Sequence, residues 1–139
     1  MKSAARSSLL RLIEAGQLAR QALLAPLPAL GLEPGDDAIL LLLAESPAMT
    51  IEAISQATGL GAAALGQRLN RLAAKDLLAA ADQGKAEPHL TLSRNGRRAA
   101  DQLARYWQEM ERELNKGLKP RERKRLRKTL GRFLHFLST

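Results

Sequence analysis

The feature that most constrains this chain lies between residues 50 and 96. Thr50 opens a short segment with Ile51, Ile54 and Ala57 at helical spacing, and Thr58-Gly59 ends it with a residue free to form a left-handed C-cap. Residues 60 to 74 place Leu65, Leu69 and Leu72 on one helical face. Two strand-like runs follow at residues 77 to 81 and 89 to 93, the second alternating Leu90 and Leu92 with Thr91 and Ser93, around the turn-forming Asp82-Gln83-Gly84-Lys85. Neither short helix can bury its apolar face alone. They must pack on each other and against the strand pair.

That order is the order of a winged helix-turn-helix, in which the second helix enters the major groove of duplex DNA and the strand pair forms the wing. The stretch that would face bases, however, is Gly61-Ala62-Ala63-Ala64 with Gly66 beyond it. Direct readout needs donors or acceptors at base edges, each good bidentate pair being worth about 1–3 kcal/mol of discrimination. Gln67, Arg68, Asn70 and Arg71 supply them on this helix. Lys85 at the wing tip and Arg94 just after the wing suit phosphate, and Thr50 joins them as a helix cap that also faces the backbone. The bland alternatives stand beside these readings. Exposed Gln and Arg on a helix are ordinary solubilising residues, Arg68 can lie along the lobe surface, and a hairpin tip commonly carries a polar residue.

The rest of the chain reads as helices around this lobe. Residues 3 to 24 carry Leu9, Leu12 and Ile13 on a face widened by Leu18, Leu23 and Leu24, until Pro26 and Pro28 stop the helix. Residues 38 to 44 are apolar all round, which predicts a buried central helix, with Asp36 or Asp37 at its N-terminus where a carboxylate suits the helix dipole. After the wing, Ser93 or Asn95 caps a long helix bearing Leu103, Trp107, Met110 and Leu114. Gly117 and Pro120 divide it from a last helix with Leu126, Leu130, Phe133, Leu134 and Leu137 on one face and seven Lys/Arg around the rest.

Charge is unevenly spread. The 139 residues carry a net +8, a balance that suits nucleic acid, acidic lipid or acidic protein as partner. Residues 94 to 139 hold 14 Lys/Arg against 5 Asp/Glu, whereas residues 32 to 93 hold 4 against 8. The lobe that would meet DNA is the acidic part. Cysteine is absent, which excludes disulfides and thiol redox chemistry and fits a cytoplasmic location. The longest apolar run, residues 38 to 44, is seven residues against the roughly 20 that a membrane span needs. His89 and His135 stand 46 positions apart without acidic or thiol neighbours at ligand spacing, so no metal or cofactor is expected. No convergent nucleophile and base mark an enzyme.

Local motifs carry a resemblance to the MarR family of bacterial transcription regulators. Thr50-Ile51-Glu52-Ala53-Ile54 is similar to that family's opening of its helix-turn-helix, and Leu69-Asn70-Arg71-Leu72 followed by Lys75-Asp76-Leu77-Leu78 to its recognition-helix exit. Leu90-Thr91-Leu92-Ser93-Arg94-Asn95-Gly96 resembles its second wing strand, and Leu118-Lys119-Pro120 its link into the last helix. The resemblance spans essentially the whole chain. It implies a single mainly α domain with a small β-hairpin wing: a winged helix-turn-helix lobe over residues 32–93, and a helical dimerisation region over residues 1–31 and 94–139. It also implies a homodimer on a pseudo-palindromic site of double-stranded DNA and a small aromatic effector that loosens binding. Leu9, Leu12, Ile13, Leu130, Phe133, Leu134 and Leu137 are the interface residues expected on this reading. Two departures stand out: the family's Asp-x-Arg wing motif is absent, since residues 82 to 88 hold no arginine, and the recognition helix is rich in alanine.

Two functions are therefore carried forward. The first is a DNA-binding transcriptional regulator acting as a ligand-responsive homodimer. The second is a MarR-like dimer with weakened DNA binding that serves as a protein-interaction or small-ligand-sensing module; it is motivated by the acidic lobe and the alanine-rich reading face. Tyr106, Trp107 and Met110 read either as effector-pocket lining or as core and dimer seam.

Overall fold

A computed structural model of the chain describes residues 7–81 and 88–139. Six α-helices and three short strands are present among them: α1 (Ser8–Leu24), α2 (Asp36–Glu45), β1 (Met49–Thr50), α3 (Ile51–Thr58), α4 (Ala62–Ala74), β2 (Leu78–Ala80), β3 (His89–Leu92), α5 (Arg94–Lys116) and α6 (Pro120–Ser138). The fold is mainly helical with a small antiparallel sheet, as the residue pattern predicts. The chain divides into two compact units between Tyr106 and Trp107.

In the first unit, α1 begins after Ser7, whose side chain accepts from Leu10 N at 3.1 Å, and ends at Leu24; residues 3 to 6 of the predicted helix lie outside the described residues. A 3₁₀ turn, Pro28–Leu30, bridges to α2. Ile39, Leu40 and Leu43 of α2 are fully buried, and Leu41 and Leu42 are half-buried, so this helix is the centre of the lobe; Ala38, Ala44 and Glu45 are its exposed residues. Ile54 from α3, Leu65, Leu69 and Leu72 from α4, Leu92 from β3 and Leu103 from α5 close the core around it. Ile51 and Ala57, expected inward on α3, are exposed instead, because eight residues give only two turns and one inward row.

The sheet has one more strand than the sequence discloses. β3 lies in the middle, with Leu78↔Leu92, Ala79↔Thr91 and Ala80↔Leu90 on one side and Met49↔Leu90 and Thr50↔His89 on the other. A two-residue strand has no periodicity to read. Ser93 proves to be the cap of α5, its hydroxyl accepting from Gly96 N at 3.0 Å, while Asn95 donates to the Asp76 carboxylate at 2.9 Å. Gly96 is required by close approach: a Cβ there would stand 2.0 Å from the Leu77 carbonyl oxygen. The Leu-Thr strand can pass into α5 against β2 only with that side chain missing.

The second unit comprises the end of α5 and the whole of α6. Glu122 Oε1 accepts from Lys119 N at 2.9 Å and caps α6, and Pro120 occupies the first turn, where its missing N–H costs nothing. Trp107, Met110, Leu118, Leu130 and Phe133 are half-buried, whereas Leu114, Leu134, Phe136 and Leu137 are well exposed.

Candidate DNA-reading surface

Helix α4 sits in the recognition position. Leu65, Leu69 and Leu72 anchor it to the core, and its exposed positions are Ala62, Ala63, Ala64, Gln67, Asn70, Ala73 and Ala74. The turn before it is built by Gly59, at φ 75°, whose N–H donates to Ser55 O at 2.8 Å, and by the Ser55 hydroxyl, which donates to Leu60 O at 2.6 Å. Thr50 caps α3 through Ala53 N at 3.1 Å. Of the predicted contacts, Gln67 and Asn70 point outward on α4, and no other described residue is recorded bonding to either side chain.

Arg68 and Arg71 are placed differently. Asp36, fully buried at the first position of α2, accepts from Arg68 at 2.7 Å and from Arg71 at 2.6 Å through the same oxygen, Oδ1, while its Oδ2 accepts from Glu33 N at 2.8 Å. Arg68 also donates to Pro34 O at 3.0 Å, and Arg71 pairs with Glu33 at 2.9 Å. The two arginines of α4 are thus bound inward to a carboxylate that would otherwise be an uncompensated buried charge. Gly35, at φ 101°, makes room for this arrangement: a Cβ there would meet the Arg68 guanidinium at 2.9 Å.

The neighbouring acid works in parallel. Asp37, 1% exposed, receives both terminal nitrogens of Arg20 from α1, at 2.7 and 3.2 Å, and Gly35 N at 3.0 Å. Burial alone would raise the Asp37 pKa, but the Arg20 hydrogen bonds, the Gly35 N–H and the Arg20 charge together hold it below the usual carboxylate value. Arg20 is raised in turn, chiefly by its hydrogen bonds to Asp37. The sequence presented Asp36-Asp37 only as a helix start. The signal for more was a pair of adjacent acids in a chain whose α4 carries two arginines spaced i,i+3 beside the apolar row and whose α1 carries Arg20.

Arg94, the first residue of α5, is exposed, as are Arg97 and Arg98. Lys85 lies outside the described residues. Tyr106 donates to Ala22 O at 2.9 Å, tying α5 to α1, whereas the Trp107 indole N–H is buried without a hydrogen-bond partner among the described residues. Of the expected interface residues, Leu9, Ile13, Leu134 and Leu137 are 54%, 47%, 69% and 60% exposed, and Leu12, Leu130 and Phe133 are half-buried. No helix among the described residues is long and apolar enough to cross a membrane, and no group of three or more His, Asp or Glu there is placed to hold a metal ion.

The fold defines a class: this is the architecture of the MarR-family transcriptional regulators. A MarR family regulator from Silicibacter pomeroyi is similar at TM-score 0.78 and 20% identity, with 96% of each chain covered. A Bordetella bronchiseptica protein, BpsR, whose DNA binding is regulated by 6-hydroxynicotinic acid, is similar at TM-score 0.73 and 22% identity, covering 93% of this chain and 95% of that one. An Escherichia coli MarR mutant complexed with operator DNA is similar at TM-score 0.72 and 22% identity, covering 91% and 93%. No family model matches the chain, and no curated protein sequence matches it.

Proposed function

We propose that this chain is a transcriptional regulator that binds duplex DNA as a homodimer, with α4 as its recognition helix. The observation that carries the reading is the presentation of Gln67 and Asn70 on the exposed side of a helix stapled to the lobe core, within a fold whose solved members include one on operator DNA. Gln67 and Asn70 contact base edges, Ala62 to Ala64 leave room for close approach, and Arg94 and Lys85 contact phosphates, with Thr50 fixing α3 beside the backbone. Arg68 and Arg71 act one step back. They orient the helix through Asp36. Selection of bound fragments from genomic DNA tests this: recovery of a discrete fragment, lost in Gln67→Ala/Asn70→Ala, is the expected result, and recovery of no preferred fragment refutes it.

A second copy covers the apolar faces of α1 and α6, on this proposal, because Leu9 and Ile13 on α1, and Leu134 and Leu137 on α6, are large apolar side chains left to water. Sedimentation should give a dimer at micromolar concentration. Response to a small aromatic acid rests on the likeness to BpsR and on Trp107, whose buried indole N–H has no acceptor among the described residues. Small aromatic acids should raise the melting temperature and weaken the DNA complex together.

One observation favours the second reading, a dimer that senses ligands or binds protein with little DNA affinity: all charge on α4 is neutralised internally. Pull-down of a stoichiometric protein partner after nuclease treatment supports that reading. Nuclease-sensitive recovery of one DNA fragment removes it.

A further inference from the structure

The helix richest in positive charge is α6, not the α4 helix proposed to face bases. Helix α6 holds seven Lys/Arg and one Asp/Glu. At 100° per residue, Arg121, Arg125, Lys128 and Arg132 fall within about 60° of one another and run for about 16 Å along the helix. Leu126, Leu130, Phe133 and Leu137 form the apolar stripe, about 140° away around the axis. All four cations are exposed, and among the described residues none of them forms an ion pair. The one acid of the helix, Glu122, is committed to the cap at Lys119 N.

We infer that this stripe is a second DNA-binding surface, taking the phosphate backbone of a duplex without regard to sequence. Three observations select that partner. Three of the four cations are arginines, whose planar fork matches phosphate oxygens. The stripe itself contains no aromatic residue on which unpaired bases would stack; Phe136 lies a turn beyond its end. And the stripe points away from the apolar face, so it stays open when a second copy covers that face; this clause rests on the dimer proposed above. A lipid surface would demand both faces at once. A dimer then carries two basic stripes in addition to its two α4 helices, and so contacts DNA by charge as well as by sequence.

The test uses the full chain and a random-sequence duplex, titrated at several salt concentrations. Arg121→Gln, Arg125→Gln, Lys128→Gln and Arg132→Gln together preserve helix propensity, and far-UV circular dichroism and sedimentation verify fold and assembly. With one lost phosphate contact worth about 0.9 in the slope of log K against log salt, the quadruple variant should lose about 3 to 4 in slope per bound helix. Lysine at the same four positions should restore it. An unchanged slope in the glutamine variant overturns the inference. So does loss of binding to phosphatidylserine vesicles or to polyglutamate with duplex binding intact, since either assigns the stripe to another anion. Failure of the regulator reading looks different: no discrete genomic fragment is selected, while the α6-dependent slope on random duplex persists.

Discussion

Asp36 and Asp37 share a peptide bond yet hold different helices. Asp36 takes the two arginines of α4 and Asp37 takes Arg20 of α1, both from the N-terminus of α2, where the helix dipole favours negative charge. Removing one partner of such a buried pair costs more than the pair contributes, since it strands a charge. Asp36→Ala leaves Arg68 with only the Pro34 carbonyl and Arg71 with only Glu33, and chemical denaturation should show a loss of about 3 kcal/mol. Arg68→Gln should lower stability by less, because Arg71 still satisfies Asp36, and it should weaken operator binding without changing which fragment is selected. Asp37 governs the response to acid. Its folded pKa lies below the unfolded value of about 3.9, so its stabilisation is fully present above that value and is lost as pH falls through the lower, folded one. Arg20→Gln removes the main cause of the depression. The acid-unfolding midpoint, followed by circular dichroism, should therefore move to higher pH in that variant.

At the scale of elements, helix positions and their caps were legible because they rest on local chemistry: Thr50 at α3, Gly59 after it, Pro120 opening α6, and the leucine row of α4 all stand where the residue pattern puts them. Strand β1 was not, since two residues in a loop acquire their conformation only by pairing with β3. The candidate surface on α4 was half legible. Periodicity separates Leu65, Leu69 and Leu72 from the rest, but nothing local distinguishes the outward Gln67 and Asn70 from the inward-bound Arg68 and Arg71, whose partner lies more than thirty residues away. Gly96 illustrates an element junction set by sterics. Gly96→Ala forces a methyl against the Leu77 carbonyl, and a destabilisation of about 3 kcal/mol is expected by thermal or denaturant unfolding.

For the molecule as a whole, charge and apolar surface are segregated along the chain. The lobe is acidic and spends its α4 arginines on its own fold, while the C-terminal helices carry the surplus of cations. In the proposed dimer, the exposed apolar residues of α1 and α6 provide the means of assembly. Leu134→Glu with Leu137→Glu should shift sedimentation from dimer to monomer and lower DNA affinity at least 100-fold by abolishing two-site engagement, an avidity loss within the usual range of about 10² to 10⁴.

The inward commitment of Arg68 and Arg71 has a consequence for how the protein can change. On α4, the residues that fix the helix and the residues that face outward do not overlap. Leu65, Arg68, Leu69, Arg71 and Leu72 keep the scaffold, and Ala62, Ala63, Ala64, Gln67 and Asn70 are free to vary around it. Small side chains at three of those five positions make the outward face a nearly blank plate. On the proposed DNA-reading function, new base preferences can be written there by substitution, one position at a time, without touching the anchors that keep the helix in place.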